Sequence, residues 1–332
     1  MISMNLISNS SVPKYKQIIS AIEKAINQGL LKKGDALPSI NSVRDDYGLS
    51  RDTVLSAYND LKARGIIQSI VGKGYFVINE NVNVAQKIFV LFDELNSFKE
   101  DLYNSFIEHL DEKIRVDIYF HHFNYDMFTK LIHENNGDYN YYVIMPANLE
   151  QTELAISILP ENKVYLLDQA KASLSNYPGV YQNFDKDIFV NLSKLTDSIR
   201  AYSKINLVFS NTKQPLEMRN GFERFCQTYN LKYEVLNFVN YSNIKENEVY
   251  VIPEDKDLLN VIKIAKEKQF ELKNDYGIIS YNDTLLKELV EGGISTISTD
   301  FNKMGEQLAK MILKKDRITF ENPSRLIIRN SI

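Results

Sequence analysis

The chain has 332 residues, 44% of them hydrophobic and 25% charged, with a formal net charge of −4. This length suggests roughly two or three domains of globular composition, and the mildly negative charge argues against a protein that coats nucleic acid along its whole length. No apolar run approaches the roughly 18 residues of a membrane span, no signal-type segment opens the chain, and the single cysteine, Cys226, has no internal disulfide partner; a cytoplasmic protein away from membranes is expected.

Charge is unevenly spread. Residues 1–80 hold ten Lys and Arg against seven Asp and Glu, a net of +3, which leaves −7 on the remainder. A positive head on an acidic body points to a partner for one end only. In that head, Tyr15, Ile18, Ile19, Ile22 and Ile26 form an i, i+3, i+4 stripe, with Pro13 near its start and Gly29 beyond its end, and predict a first helix. The segment GDALPS is extended, because the residue before Pro38 is pushed away from helical dihedrals. Ser39 caps a short second helix whose apolar face is Ile40, Val43 and Tyr47, and Gly48 ends it. Ser50 caps a third helix with Asp52 in its first turn, packing through Val54, Ala57, Tyr58 and Leu61.

Two short helices joined by a glycine-containing turn form a helix-turn-helix. The second opens with Ser50, Arg51, Asp52 and Thr53, all polar, and Ser56 and Asn59 lie on its unburied face. In DNA-binding versions the N-terminal residues of that helix enter the major groove. Arginine can then bond guanine, while serine and threonine reach phosphate or base edges. The following QSIVGKGYFV reads as two strands around Gly72-Lys73-Gly74, a hairpin with Lys73 at its tip for a phosphate or the minor groove. Together these elements make a winged helix. A phosphate-loop reading of VGKGY fails, because the GxxxxGK[ST] spacing is missing.

The run LPSINSVRDDYGLSRDTVLSAYNDLKARGIIQSIVGKGYFV resembles the GntR family of bacterial transcription regulators, over nearly all of residues 10–78. The resemblance implies operator contacts by Arg51 and Thr53, with Lys73 and Gly74 at the wing. It extends the candidate DNA-binding set to Ser39, Asn41, Arg44, Ser50, Arg51, Asp52, Thr53, Ser56, Lys73 and Gly74. Asn41 and Leu55 stand where the family usually has arginine, and Arg44 is the candidate replacement.

The segment NENVNVAQ before Lys87 reads as a polar, structure-poor linker. Beyond it, strands alternate with helices of 10–15 residues, which means βαβ units and parallel sheets, here as two doubly wound halves in tandem. Ligands of such sheets bind outside the carboxyl ends of the strands. Asp93-Glu94, Asp168, Glu254-Asp255 and Asn282-Asp283 cluster at those ends. They suggest a cleft that accepts hydrogen bonds from a hydroxylated molecule. His109, His121, His122 and His133 show no metal-ligand spacing. Cys226 shares a helical stripe with Phe222, Phe225 and Tyr229, as a core residue does.

Most of residues 86–332 resembles the effector domain of LacI/GalR repressors, through GIISYNDTLLKELVEGGISTISTDFNKMGEQLAKMIL and the ending RLIIRNSI. That resemblance implies the fold of periplasmic sugar-binding proteins, two lobes closing on a small ligand, usually a sugar, and a homodimer. It places chain crossings near Phe184, Asp300 and Ile318. Asn282 matches a sugar-contacting position and Asp168 lies near another. Lys213, Glu217 and Arg219 are further candidates, and Phe98 is the candidate for stacking on a sugar ring. The effector set is therefore Asp93, Glu94, Phe98, Asp168, Lys213, Glu217, Arg219, Glu254, Asn282 and Asp283.

The expected architecture is a winged helix-turn-helix over 1–79, a linker over 80–86 and a two-lobed α/β effector domain over 87–332. Its first lobe takes 87–184 and 300–317, its second 185–299 and 318–332. The function implied is a sequence-specific repressor of carbohydrate-utilisation genes, without catalysis, cofactor or metal. It would bind double-stranded operator DNA and be controlled by a monosaccharide or derivative. The competing reading is a winged helix fused to an aminotransferase-like enzyme, for which about 250 residues is short.

Overall fold

The computed structural model describes residues 12–210 and 212–332. The head contains α1 (Lys14–Asn27), α2 (Ile40–Tyr47) and α3 (Arg51–Ala63), then the antiparallel strands β1 (Ile67–Ile70) and β2 (Gly74–Val77). Ser39 Oγ accepts from the Ser42 amide at 3.0 Å, and Ser50 Oγ accepts from the Thr53 amide at 3.2 Å, so both expected caps are in place. Gly48 takes the left-handed φ of 61° that ends α2 and turns the chain into α3. The stripes meet in one core of Ile18, Ile22, Val43, Val54, Tyr58 and Leu61. Tyr58 Oη donates to the Pro38 carbonyl at 2.7 Å and pins the extended segment. That segment also bonds the wing, the Gly34 amide donating to Val77 O at 2.8 Å.

The chain then builds β3 (Gln86–Phe92), α4 (Ser97–Glu108), β4 (Ile114–Phe120), α5 (Tyr125–Glu134), β5 (Tyr141–Ile144), α6 (Thr152–Ile156), β6 (Val164–Asp168) and β7 (Gly179–Tyr181) in lobe 1. Lobe 2 follows with α7 (Phe184–Ser193), α8 (Thr196–Arg200), β8 (Lys204–Val208), α9 (Leu216–Thr228), β9 (Tyr233–Leu236), β10 (Glu248–Ile252), α10 (Asp255–Glu267), β11 (Tyr276–Tyr281), α11 (Leu285–Leu289) and β12 (Ser295–Thr299). The chain returns to lobe 1 for α12 (Phe301–Lys314) and β13 (Thr319–Glu321), and ends in lobe 2 with β14 (Ser324–Ile327).

The lobe 1 sheet runs β13-β7-β6-β5-β3-β4, all parallel; the lobe 2 sheet runs β14-β12-β11-β10-β8-β9, with β14 antiparallel. Strands such as YYVI and VYLLD are buried on both faces, which is why they read as unbroken apolar runs. Helices cover both sides of each sheet, and each lobe has a core on either face. Cys226 lies in the core under α9, where burial pushes its thiol up to about 12.

One expectation needs correction. The last crossing falls between Glu321 and Ser324 rather than near Ile318, because Thr319–Glu321 pairs in parallel with β7 as the edge of the lobe 1 sheet. A three-residue edge strand has no periodicity of its own to announce it. The linker, as expected, holds no helix or strand between β2 and β3; the Asn81 and Asn83 amides each bond an asparagine side chain two residues back, at 3.0 Å, and Val82 is buried in the head core.

Candidate functional site

The first turns of α3 face solvent. Arg51, Asp52 and Ser56 are exposed, as are Ser39 and Asn41 at the start of α2 and Lys73 and Gly74 on the wing. Gly72 and Gly74 have φ of 74° and 104°, values that L side chains rarely adopt, so the tight wing turn requires them. The side-chain cations of Arg51 and Lys73 have no hydrogen-bond or ion-pair partner among the described residues, which leaves two cations available. Ser50 and Thr53 hydroxyls meet at 2.8 Å and serve the helix cap first. Arg44 lies along Asp45 at 2.7 Å, a solvent-exposed pair that a phosphate can displace at little cost. Asp52 would repel phosphate; its place in the first turn suits the positive helix end and the amino edge of a cytosine.

Between the lobes lies a cavity of about 750 Å³. Lobe 1 contributes Asn148, Glu150, Glu153, Gln169 and Lys171; the first crossing contributes Gln182, Asn183 and Phe184; lobe 2 contributes Phe209, Gln214, Glu217 and Arg219. The walls touch across the gap. Asn148 Nδ2 donates to the Gln214 carbonyl at 2.7 Å, and Lys213 Nζ meets Glu94 Oε2 at 3.0 Å. Below them Thr299 Oγ1 donates to Gln182 Oε1 at 2.6 Å, and Gln182 Nε2 donates to Asp168 Oδ1 at 2.5 Å, tying both neighbouring crossings to the end of β6.

Lys171 donates to the Leu149 carbonyl. Burial pulls its pKa down, and the charges of Glu153, Glu217 and Glu150 oppose that pull. Arg219 pairs with Glu223 at 2.8 Å. Amides and charges thus dominate the lining, with Phe184, Phe209 and Tyr181 as its aromatic surface. An arrangement of this kind offers hydrogen-bond donors and acceptors to a small polar ligand.

Of the ten effector candidates, Glu217 and Arg219 line this cavity. Lys213 and Glu94 form the cross-lobe pair, Asp168 sits buried beneath Gln182, and Glu254 accepts from Gln214 Nε2 at 3.0 Å. Burial raises the Asp168 pKa, more than the nearby Lys99 lowers it. Of the other four, three are engaged within their own lobe. Asp93 forms a buried pair with Lys99, and Phe98 stacks on Phe301 at 4.9 Å between centroids. Asp283 accepts two bonds from Arg329, at 2.6 and 2.8 Å, and one from Thr296. Asn282 shapes the turn after β11 with φ of 60°, and its buried Oδ1 has no partner among the described residues. Asp93 and Asp283, although at strand ends, are neutralised by Lys99 and Arg329 of their own lobe rather than turned to the cleft.

Residues that sequence reading missed are Asn148, Gln169, Lys171, Gln182 and Gln214. Asn148 follows β5 and Gln169 follows Asp168, so the same strand-end logic applied to every strand reaches those two. Gln182 and Gln214 belong to a crossing and a loop, and only the docked lobes bring them in. Among the described residues no group of three or more His, Cys, Asp or Glu could hold a metal ion, and no helix is long and apolar enough to cross a membrane.

Residues 14–77 match the model of the bacterial regulatory proteins, gntR family. The mannosyl-D-glycerate transport/metabolism system repressor MngR of Escherichia coli is 37% identical over 107 residues, 32% of this chain and 41% of that protein, so the match spans less than half of that relative. The HTH-type transcriptional repressor YtrA of Bacillus subtilis is 31% identical over 102 residues, 30% of this chain and 78% of that protein. The body has a solved likeness in a periplasmic binding protein/LacI transcriptional regulator from Alkaliphilus metalliredigens, complexed with D-xylulofuranose. It aligns at TM-score 0.62 and 11% identity over 74% of this chain and 98% of that one. At that identity the likeness is one of fold.

Proposed function

This chain belongs to the gntR family of bacterial regulatory proteins, and on that premise we propose that it is a cytoplasmic repressor of carbohydrate-utilisation genes, released from or held on its operator by a small sugar-type effector. The observation that carries the reading is the interlobe cavity, large enough for a monosaccharide or its derivative and lined by side-chain amides from both lobes. The winged helix, residues 1–79, reads DNA with Arg51 at the tip of α3 and Lys73 on the wing; residues 1–11 of it lie outside the described residues. The body from 87 onward binds the effector. Ligand that bonds Gln169 and Lys171 on one lobe and Glu217 and Arg219 on the other favours the closed arrangement over an open one. Such differential contact couples the sites by about 1–3 kcal/mol.

The charge of the cavity narrows the effector class. Lys171 faces three carboxylates, and Arg219 is already paired with Glu223. Little positive charge is left for a phosphate, so a neutral or amino sugar suits the site better than a sugar phosphate. Two copies read a two-fold operator. The exposed Leu285 and Leu289, one turn apart on α11, offer lobe 2 an apolar contact for the second copy. No observation favours the aminotransferase-like alternative, since the body is built as two α/β lobes with the fold of periplasmic binding proteins.

A thermal-shift panel of neutral sugars, amino sugars and sugar phosphates tests the reading. A ligand at 100 times its Kd adds about 2.7 kcal/mol to the domain that holds it. Stabilisation by a neutral or amino sugar supports the proposal. A response confined to phosphates refutes the charge argument, and a silent panel removes the sugar assignment.

A further inference from the structure

We propose that Arg64 is a positioning residue that locks the operator-reading helix to lobe 1 and thereby sets the half-site spacing the regulator accepts. Arg64 stands at the C-terminal end of α3 with its side chain 10% exposed. Its Nε donates to the Val84 carbonyl at 2.7 Å and its Nη2 to the Val82 carbonyl at 3.0 Å. The same guanidinium meets Glu23 of α1 at 2.5 Å and Asp60 of α3 at 3.3 Å. One planar fork therefore joins two head helices to the two linker carbonyls that lead straight into β3. A lysine has neither the donor count nor the geometry to do so.

Other contacts hold the same junction. The Ala85 amide donates to the Lys113 carbonyl of lobe 1 at 2.8 Å, and Lys62 of α3 reaches Asp138 of lobe 1 at 2.8 Å. Gly65 lies against the Lys87 stem, whose amine is held by Asp117 at 2.9 Å. The joint sits at the amino ends of β3 and β5, while the cleft lies at the carboxyl ends, so lobe 1 spans the distance between effector and head.

Geometry makes such a joint matter. α3 is 13 residues long, so Arg51 projects roughly 20 Å from the joint. A rotation of about 10° there moves the tip by about 3 Å, close to one base-pair step. In a dimer, two heads fixed in this way match one spacing, whereas tethered heads tolerate many.

The inference rests on the dimeric reading, and selection from a random DNA library with the full chain tests both. Wild type should enrich paired half-sites with one spacing preferred at least about tenfold over its neighbours. Arg64→Met should enrich the same half-site sequence with that preference reduced to about threefold or less. A Gly-Ser-Gly insertion between Asn83 and Val84 cuts the same tie without touching the head core and should broaden the spacing in the same way. Unchanged sharp spacing in either variant overturns the proposal; if Arg64→Met enriches nothing, the insertion alone decides. Wild type that enriches only isolated half-sites overturns the dimeric reading and the spacing role with it.

Discussion

Asp187 links pH to the stability of the hinge. It lies in the first turn of α7, buried, where its Oδ1 accepts from Ser324 Oγ at 2.7 Å, across from the last crossing. Its Oδ2 has no partner among the described residues. Burial, more than the neighbouring Glu321, pushes the carboxyl up to about 6, while the Ser324 bond and Lys186 act the other way. A carboxyl raised in the fold binds its proton more tightly there than in the unfolded chain. Its stabilising contribution is therefore complete below the unfolded value near 4 and is lost as pH rises through about 6. The loss is at most about 3 kcal/mol, from two pH units at 1.36 kcal/mol each. Asp187→Asn keeps an acceptor for Ser324 and removes the charge. It should stabilise the protein by up to about 3 kcal/mol at pH 7.5 and by no more than about 1 kcal/mol at pH 4.5. For a lobe of this size that is a rise of several degrees in Tm at the higher pH. Calorimetric melts of both proteins at pH 4.5, 6 and 7.5 decide the matter. An equal difference at all three values, or destabilisation at pH 7.5, would refute the reasoning.

Other expectations follow from single contacts. Arg51→Ala should weaken binding to a selected operator by about 10- to 100-fold while circular dichroism stays unchanged, the loss expected for one base-contacting arginine; equal affinity would move base reading to another residue. Tyr58→Phe deletes the bond to Pro38 O and should cost the head about 1 kcal/mol in a denaturant melt, leaving ligand affinity of the body alone. Leu285→Asp combined with Leu289→Asp should turn a sedimenting dimer into a monomer, and an intact dimer would place the contact elsewhere. Glu94→Gln removes the carboxylate facing Lys213, an exposed pair worth under about 1 kcal/mol. It should expand the ligand-free protein measurably in solution scattering, and an unchanged radius would show that the remaining contacts, Asn148 to Gln214 and Thr299 to Gln182, suffice to hold the lobes together.

Local information in the sequence sufficed for the head. Ile18, Ile22, Val54, Tyr58 and Leu61 recur at helical spacing, Ser39 and Ser50 bond the next turn of backbone, and Gly48 and Gly72 accept positive φ. Each of these signals acts within a few residues, so the winged helix was legible before any packing was known. The alternation of apolar strands and amphipathic helices likewise declared two parallel-sheet lobes, because βαβ units bury both faces of each strand. What tertiary structure decided is which polar residues share a space. Asp93, Asp283 and Glu217 look alike as carboxylates near strand ends or helix starts, yet Lys99 and Arg329 neutralise the first two and only the third faces the cleft. Asn148, Gln182 and Gln214 come from three separate segments, and nothing local marks them as neighbours. The hold of Arg64 on the linker is of the same kind. The carbonyls it binds lie 18 and 20 residues away, and backbone carbonyls, present in every residue, leave no trace in an amino-acid sequence of which donor will reach them.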